Sequence, residues 1–126
     1  MGEGVRDGAS GLRVTEVVID CGDHGRVVAF WAAALGYQRS EVNEQYVALV
    51  PPAREPGLPP LLFQKVPEPK AVKNRVHLDF RADVMADEVA RLVGLGAVVL
   101  AERSLGDFLW TVLADPEGNE FCVSGG

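Results

Sequence analysis

Apolar and polar positions follow one another along this chain in an order that occurs twice. Residues 14–21, VTEVVIDC, are rich in β-branched side chains and are bounded by Gly22 and Asp23, which predicts a strand leading into a helix capped by Asp23. Beyond the cap, Val27, Phe30, Trp31, Ala34 and Leu35 recur at the spacing of one helix face, and Gly36 supplies the left-handed residue that ends it. Residues 37–40, 45–50 and 61–66 then read as three strands, separated by a polar turn and by the proline-rich PPAREPGLPP loop. The second half repeats the order. Residues 75–82 read as a strand, Asp83 is available as a cap, and Met85, Val89, Leu92 and Val93 form a helical stripe that Gly96 closes. Residues 97–101, 108–114 and 120–124 read as three further strands.

The copies lie about sixty residues apart, with Gly36 matching Gly96, Glu16 matching His77, and Phe63-Gln64 set against Phe121-Cys122. The chain has 126 residues, the length of one common domain, and a half of that size would be marginal alone. The expected organisation is a flexible arm at 1–12 and one domain at 13–126, with module one at 13–66, a proline- and lysine-bearing connector at 67–74 and module two at 75–126.

Composition narrows the function classes. A net charge of −6 argues against a nucleic-acid surface and favours neutral or cationic ligands. The residues are 48% hydrophobic, and no apolar run reaches the roughly eighteen residues that span a bilayer, so no membrane partner is expected. The glycine-rich first residues lack the apolar core of a secretion signal, and the two cysteines, Cys21 and Cys122, are too few for a disulfide scaffold. A cytoplasmic protein with reduced thiols is expected. P-loop, G-x-S-x-G and HExxH motifs are all missing, and DPEGNE lacks the acidic spacing of a calcium loop.

Taken together, VVIDCGD, FWAAALGY, LLFQKVPEPK, NRVHLDFR and ADPEGNEFCV resemble the vicinal oxygen chelate superfamily over residues 14–123, in particular its glyoxalase-like and bleomycin-resistance-protein-like members. The resemblance implies an α+β fold in which two tandem βαβββ modules form a curved mixed sheet around a cavity, with a homodimer expected. That superfamily includes glyoxalase I, extradiol dioxygenases, fosfomycin-inactivating transferases and metal-free bleomycin-binding proteins, so the fold leaves function open.

The resemblance also implies where a metal would sit: on one residue of the first and last strand of each module. Those positions are Glu16, Gln64, His77 and Cys122, for zinc, nickel, iron or manganese, with Glu16 as the carboxylate that would move protons. Two positions depart from the pattern. Cys122 stands where the family's metal enzymes usually carry glutamate, and Val84 stands where aspartate is usual. Glu120 shares the face of Cys122 about 7 Å along the strand and is a further candidate.

Each candidate has a plainer reading. His77, on the polar face with Asp79 and Arg81, serves equally as a hydrogen-bonded cavity histidine, Cys122 as a small buried hydrophobe, Gln64 as the partner of a buried polar group and Glu16 as a solvated carboxylate. Asp20 and Arg81 lie four residues beyond Glu16 and His77, and form an ion pair or contact a ligand if the two first strands adjoin. Trp110 shares a face with Phe108, Val112 and Ala114 and either lines a cavity or packs in the core, while Trp31 belongs to the core stripe. Two functions follow: a protein that binds and sequesters a small organic molecule such as an antibiotic through Asp20, Gln64, Asp79, Arg81, Trp110 and Glu120, or a metal-dependent lyase, isomerase or dioxygenase acting on a small oxygenated substrate. A dimerisation module with an unused cavity is the third.

Overall fold

The computed structural model describes residues 10–53 and 57–125. Most of the expected N-terminal arm, residues 1–9, and residues 54–56 of the proline-rich loop lie outside the described residues. In chain order the elements are β1 (Val17–Cys21), α1 (His24–Leu35), β2 (Gln38–Glu41), β3 (Tyr46–Val50), β4 (Leu61–Lys65), β5 (Leu78–Ala82), α2 (Met85–Leu95), β6 (Val98–Leu105), β7 (Phe108–Ala114) and β8 (Glu120–Gly125). This is β-α-β-β-β twice. The strands form two four-stranded mixed sheets, β1-β4-β3-β2 and β5-β8-β7-β6, each with one parallel pair and two antiparallel pairs. Neither helix is long and apolar enough to cross a membrane.

Local chemistry accounts for most boundaries. Asp23 is extended at φ −149° and its carboxylate accepts from Gly25 N–H, while Gly36 at φ 69° returns its N–H to Ala32 and ends α1. The second helix starts differently. Val84 is its N-cap with no side-chain hydrogen bond, so Asp83 does not cap, and Asp87 and Glu88 place negative charge in the first turn instead. Val93 is 45% exposed and leaves the expected stripe, because it lies roughly 80° around the helix from Met85 while Val89 and Leu92 stay close to that face.

The first strands are shorter than the apolar pattern implies, because a strand persists only where a neighbour pairs with it. β1 begins opposite Leu61, just after Pro59 and Pro60, which leaves Glu16 outside the ladder, and β5 likewise begins one residue after His77. β6 is longer than expected. The pairs Arg103–Trp110, Ser104–Leu109 and Leu105–Phe108 carry the hairpin to a two-residue turn in which Gly106 adopts φ 59°.

One face of each sheet packs on the helices. Val27, Val28, Phe30, Trp31, Val47, Leu49, Leu61 and Phe63 form the core with Leu92, Leu113, Phe121 and Val123, and each large apolar side chain contributes about 1.5–3 kcal/mol by leaving water. The core crosses from module to module. Trp31 of α1 meets Phe121 and Phe80 at ring-centroid distances of 4.8 and 5.6 Å. Its indole N–H donates to the buried Asp115 carboxylate at 2.8 Å, and the same carboxylate accepts from the backbone N–H of Glu117 and Asn119, both at 2.9 Å. Arg91 of α2 donates to the carbonyls of Ala33 and Ala34 at 3.3 and 2.8 Å, satisfying two of the free C-terminal acceptors of α1.

Candidate functional site

With the helices on one face of each sheet, strand alternation leaves every second side chain on the other, open face. In module two the ladders arrange that face as rows. Arg81, Ser124, Trp110 and Arg103 form one row across β5, β8, β7 and β6, and Asp79, Cys122, Val112 and Ala101 form the next, about 7 Å away. Phe108 and Leu105 extend the surface to the hairpin tip. All of these but Arg81 and Ala101 border a pocket of about 480 Å³, whose lining includes Asp79, Cys122, Val112, Trp110, Phe108, Leu105 and Arg103, together with Lys73 from the connector and His77 just before β5.

One corner of the pocket is polar. His77 Nε2 lies 3.2 Å from Asp79 Oδ1, and ligand-type atoms of His77, Asp79 and Cys122 all lie within 4.8 Å of one another. Burial pushes the Cys122 thiol pKa up, and the Asp79 carboxylate adds to the rise by its charge and by accepting a hydrogen bond, while Lys73 opposes it. The rise works against the thiolate, the form in which a cysteine acts as nucleophile or metal ligand. The other end is aromatic: Phe108 and Trp110 are tilted by 35° with centroids 5.5 Å apart.

The remaining candidates lie elsewhere. Asp20 and Glu120, with His77, border a second cleft of about 320 Å³ between β1 and the segment leading into β5. Asp20 and Arg81 form no ion pair with each other among the described residues: β1 pairs only with β4 and β5 only with β8, so the two first strands do not adjoin in one ladder. Glu120 is occupied. It accepts from Lys70 Nζ and from Asn74 N–H, both at 3.1 Å, fastening the connector to β8. Burial alone would raise its carboxyl pKa, but these two donors outweigh burial and lower it. Glu16 is exposed and Gln64 half-buried, and neither borders the module-two pocket.

The pairing also corrects the alignment of the two halves. Val17 pairs with Leu61 and Leu78 with Phe121, so Leu62 is the counterpart of Cys122, and Gln64 that of Ser124. Setting Phe63-Gln64 against Phe121-Cys122 is thus two residues out of register, or about 7 Å along the strand. Lys73, Arg103 and Leu105 were not anticipated as site residues. Arg103 and Leu105 fall beyond the expected end of β6, and Lys73 lies in a connector with no periodicity. Phe108 was legible, sharing the face of Trp110.

A family model described as a glyoxalase-like domain matches residues 16–124. Among solved structures, a glyoxalase/bleomycin resistance/dioxygenase family enzyme from Burkholderia phytofirmans PsJN superposes with TM-score 0.71 at 21% identity, covering 88% of this chain and 96% of that one. The fosfomycin resistance protein FosX from Listeria monocytogenes, in complex with Mn(II) and a dihydroxypropylphosphonic acid, gives TM-score 0.73 at 12% identity and 90% coverage of each chain. A bleomycin resistance determinant encoded on transposon Tn5 gives 0.64 at 16% identity, covering 91% of this chain and 98% of that one. At such identities the likeness is one of fold. No curated protein matches the chain significantly in sequence.

Proposed function

Since the chain belongs to the glyoxalase-like domain family of the vicinal oxygen chelate superfamily, we propose that it binds a small, flat organic molecule on the open face of module two. The observation that carries this reading is the Trp110–Phe108 platform in a pocket of about 480 Å³, a volume in the range that takes small ligands, with a few polar groups converging at one corner. Antibiotics are among the compounds to try, since proteins of this fold include resistance proteins for bleomycin and fosfomycin. Binding of flat aromatic compounds, followed by calorimetry on the native chain and on Trp110→Ala, tests the reading; affinity unchanged in the variant overturns it. Association of two copies is proposed as well, supported by the exposed Val98, Val99 and Leu100 on the edge strand β6.

A second reading has its own observation. His77, Asp79 and Cys122 offer one nitrogen, one oxygen and one sulfur within 4.8 Å, a three-donor set that fits a divalent ion with an open position. Such an ion would act as a Lewis acid toward an oxygenated substrate. Holding it would require the Cys122 proton to leave, for which Lys73 supplies favourable charge, and Asp79 to exchange its His77 and Cys122 contacts for the ion. Elemental analysis of protein purified without chelator, repeated on His77→Ala, decides: near-stoichiometric metal lost in the variant favours this reading, and metal-free protein that takes up none on addition removes it.

A further inference from the structure

The charge of the pocket does not follow the charge of the chain. The whole protein carries −6, yet the pocket is lined by Lys73 and Arg103 against the one carboxylate of Asp79. The two ends also differ. At the β5–β8 corner the Asp79 carboxylate lies 3.2 Å from His77 Nε2 and shares the lining with Lys73, so positive and negative charge balance there. At the far rim Arg103 is exposed and, among the described residues, takes part in no hydrogen bond or ion pair. Its nearest acidic neighbours in sequence do not line the pocket: Glu102 alternates to the other face of β6 and Asp107 sits in the turn. Arg103 is paired across the ladder with Trp110, one strand spacing or about 4.8 Å away, so an uncompensated guanidinium adjoins the aromatic platform.

Resting on the proposed module-two site, we infer that its ligand is an aromatic carboxylate, with its ring on Trp110 and Phe108 and its carboxylate on the Arg103 guanidinium. The planar fork of arginine matches a carboxylate with two parallel hydrogen bonds, and a ring seated on Trp110 sets the carboxylate beside that fork. A cation in the same place would be repelled by Arg103, and a neutral ring would gain the platform alone. This assigns the acidic balance of the chain to its outer surface and gives the pocket the opposite preference.

The test uses three probes of one shape, naphthoate, naphthamide and naphthylmethylammonium, titrated by calorimetry into the native chain, Arg103→Gln and Trp110→Ala. Naphthoate is expected to bind about tenfold or more tightly than naphthamide, with naphthylmethylammonium weakest and the naphthoate advantage shrinking as salt is added. Arg103→Gln is expected to bring naphthoate down to naphthamide, and retention of the native thermal midpoint shows that the exposed substitution leaves the fold intact. If naphthamide or naphthylmethylammonium binds as tightly as naphthoate and depends on Trp110, the site stands and the anionic preference falls. Preference for naphthoate that survives Arg103→Gln overturns the assignment of Arg103. If no probe binds, the flat-ligand site itself fails and this inference with it.

Discussion

The two modules share one plan and differ where a ligand would touch them. Register makes Tyr46 of β3 the counterpart of Trp110 of β7, and Leu62, Val18 and Glu16 the counterparts of Cys122, Asp79 and His77. In module one the β2–β3 hairpin stops early: Asn43 Oδ1 accepts from the backbone N–H of Gln45 and Tyr46, both at 2.9 Å, and closes the turn beside Tyr46. In module two the hairpin runs on for three more residue pairs, and Arg103, Leu105 and Phe108 all stand on that extension or at its start. A longer hairpin thus supplies the rim, and a change from leucine and valine to cysteine and aspartate supplies the polar corner. The repeated plan fixes where the strands lie, while hairpin length and a few open-face residues decide which copy lines the pocket of about 480 Å³.

The contrast between modules requires that the halves share one core, and the largest expected effect tests that. Asp115→Ala removes the buried acceptor of the Trp31 indole and the organiser of the turn before β8, and is expected to cost about 3 kcal/mol while the chain still unfolds in a single transition. Two separate transitions in denaturant would show the modules to be independent and break the comparison.

On binding, Trp110→Ala is expected to weaken a flat aromatic ligand by about tenfold or more, and Tyr46→Ala, at the matching place in module one, by less than about twofold. Equal losses would mean that both faces bind. The cysteines give a smaller contrast. Burial first, and then the carboxylates of Glu117, Asp23, Asp20 and Asp115, push the Cys21 thiol from its ordinary 9.0 up to about 11. Because the folded chain holds that proton more tightly than the unfolded chain, its contribution is complete below pH 9 and is lost as pH rises through 11. Stability by thermal melting is expected to fall by about 1–2 kcal/mol over that window, and Cys21→Ala to flatten the fall more than Cys122→Ala.

The smallest effect concerns the connector. Glu120 has a lowered carboxyl pKa in the folded chain, so its contribution is present above the ordinary carboxyl value of 4.5 and is lost as pH falls below it. Glu120→Gln is expected to cost under about 1 kcal/mol at neutral pH, and to reduce the acid-side slope of the stability curve. A slope unchanged in the variant would mean that Lys70 and Asn74 do not hold the connector through this carboxylate.

Much of the fold is legible in the order of residues alone. The α1 cap at Asp23 and the glycine stops at Gly36 and Gly96 follow from contacts within a turn or two of chain, and the inward side of Trp31 from the helical spacing of the apolar stripe, all of which sequence encodes directly. The site is less legible. His77, Asp79, Cys122 and Trp110 come together on one face, but Glu16, Gln64 and Arg81 do not border the same pocket, and Glu120 is engaged by the connector. Arg103 stayed hidden because the polar run after Ala101 carries no strand signal of its own. It becomes a strand only through pairing with β7.

The sequence by itself determined the order of elements, the doubled plan and which helix and strand faces are apolar, because these rest on periodicity and capping among near neighbours. Only the tertiary structure decided the register of β4 and β8, the length of the β6–β7 hairpin and so the membership of the pocket. Those depend on pairing between residues far apart in the chain, where a slip of two residues preserves every hydrophobic pattern yet moves a side chain by about 7 Å, enough to take it in or out of a site.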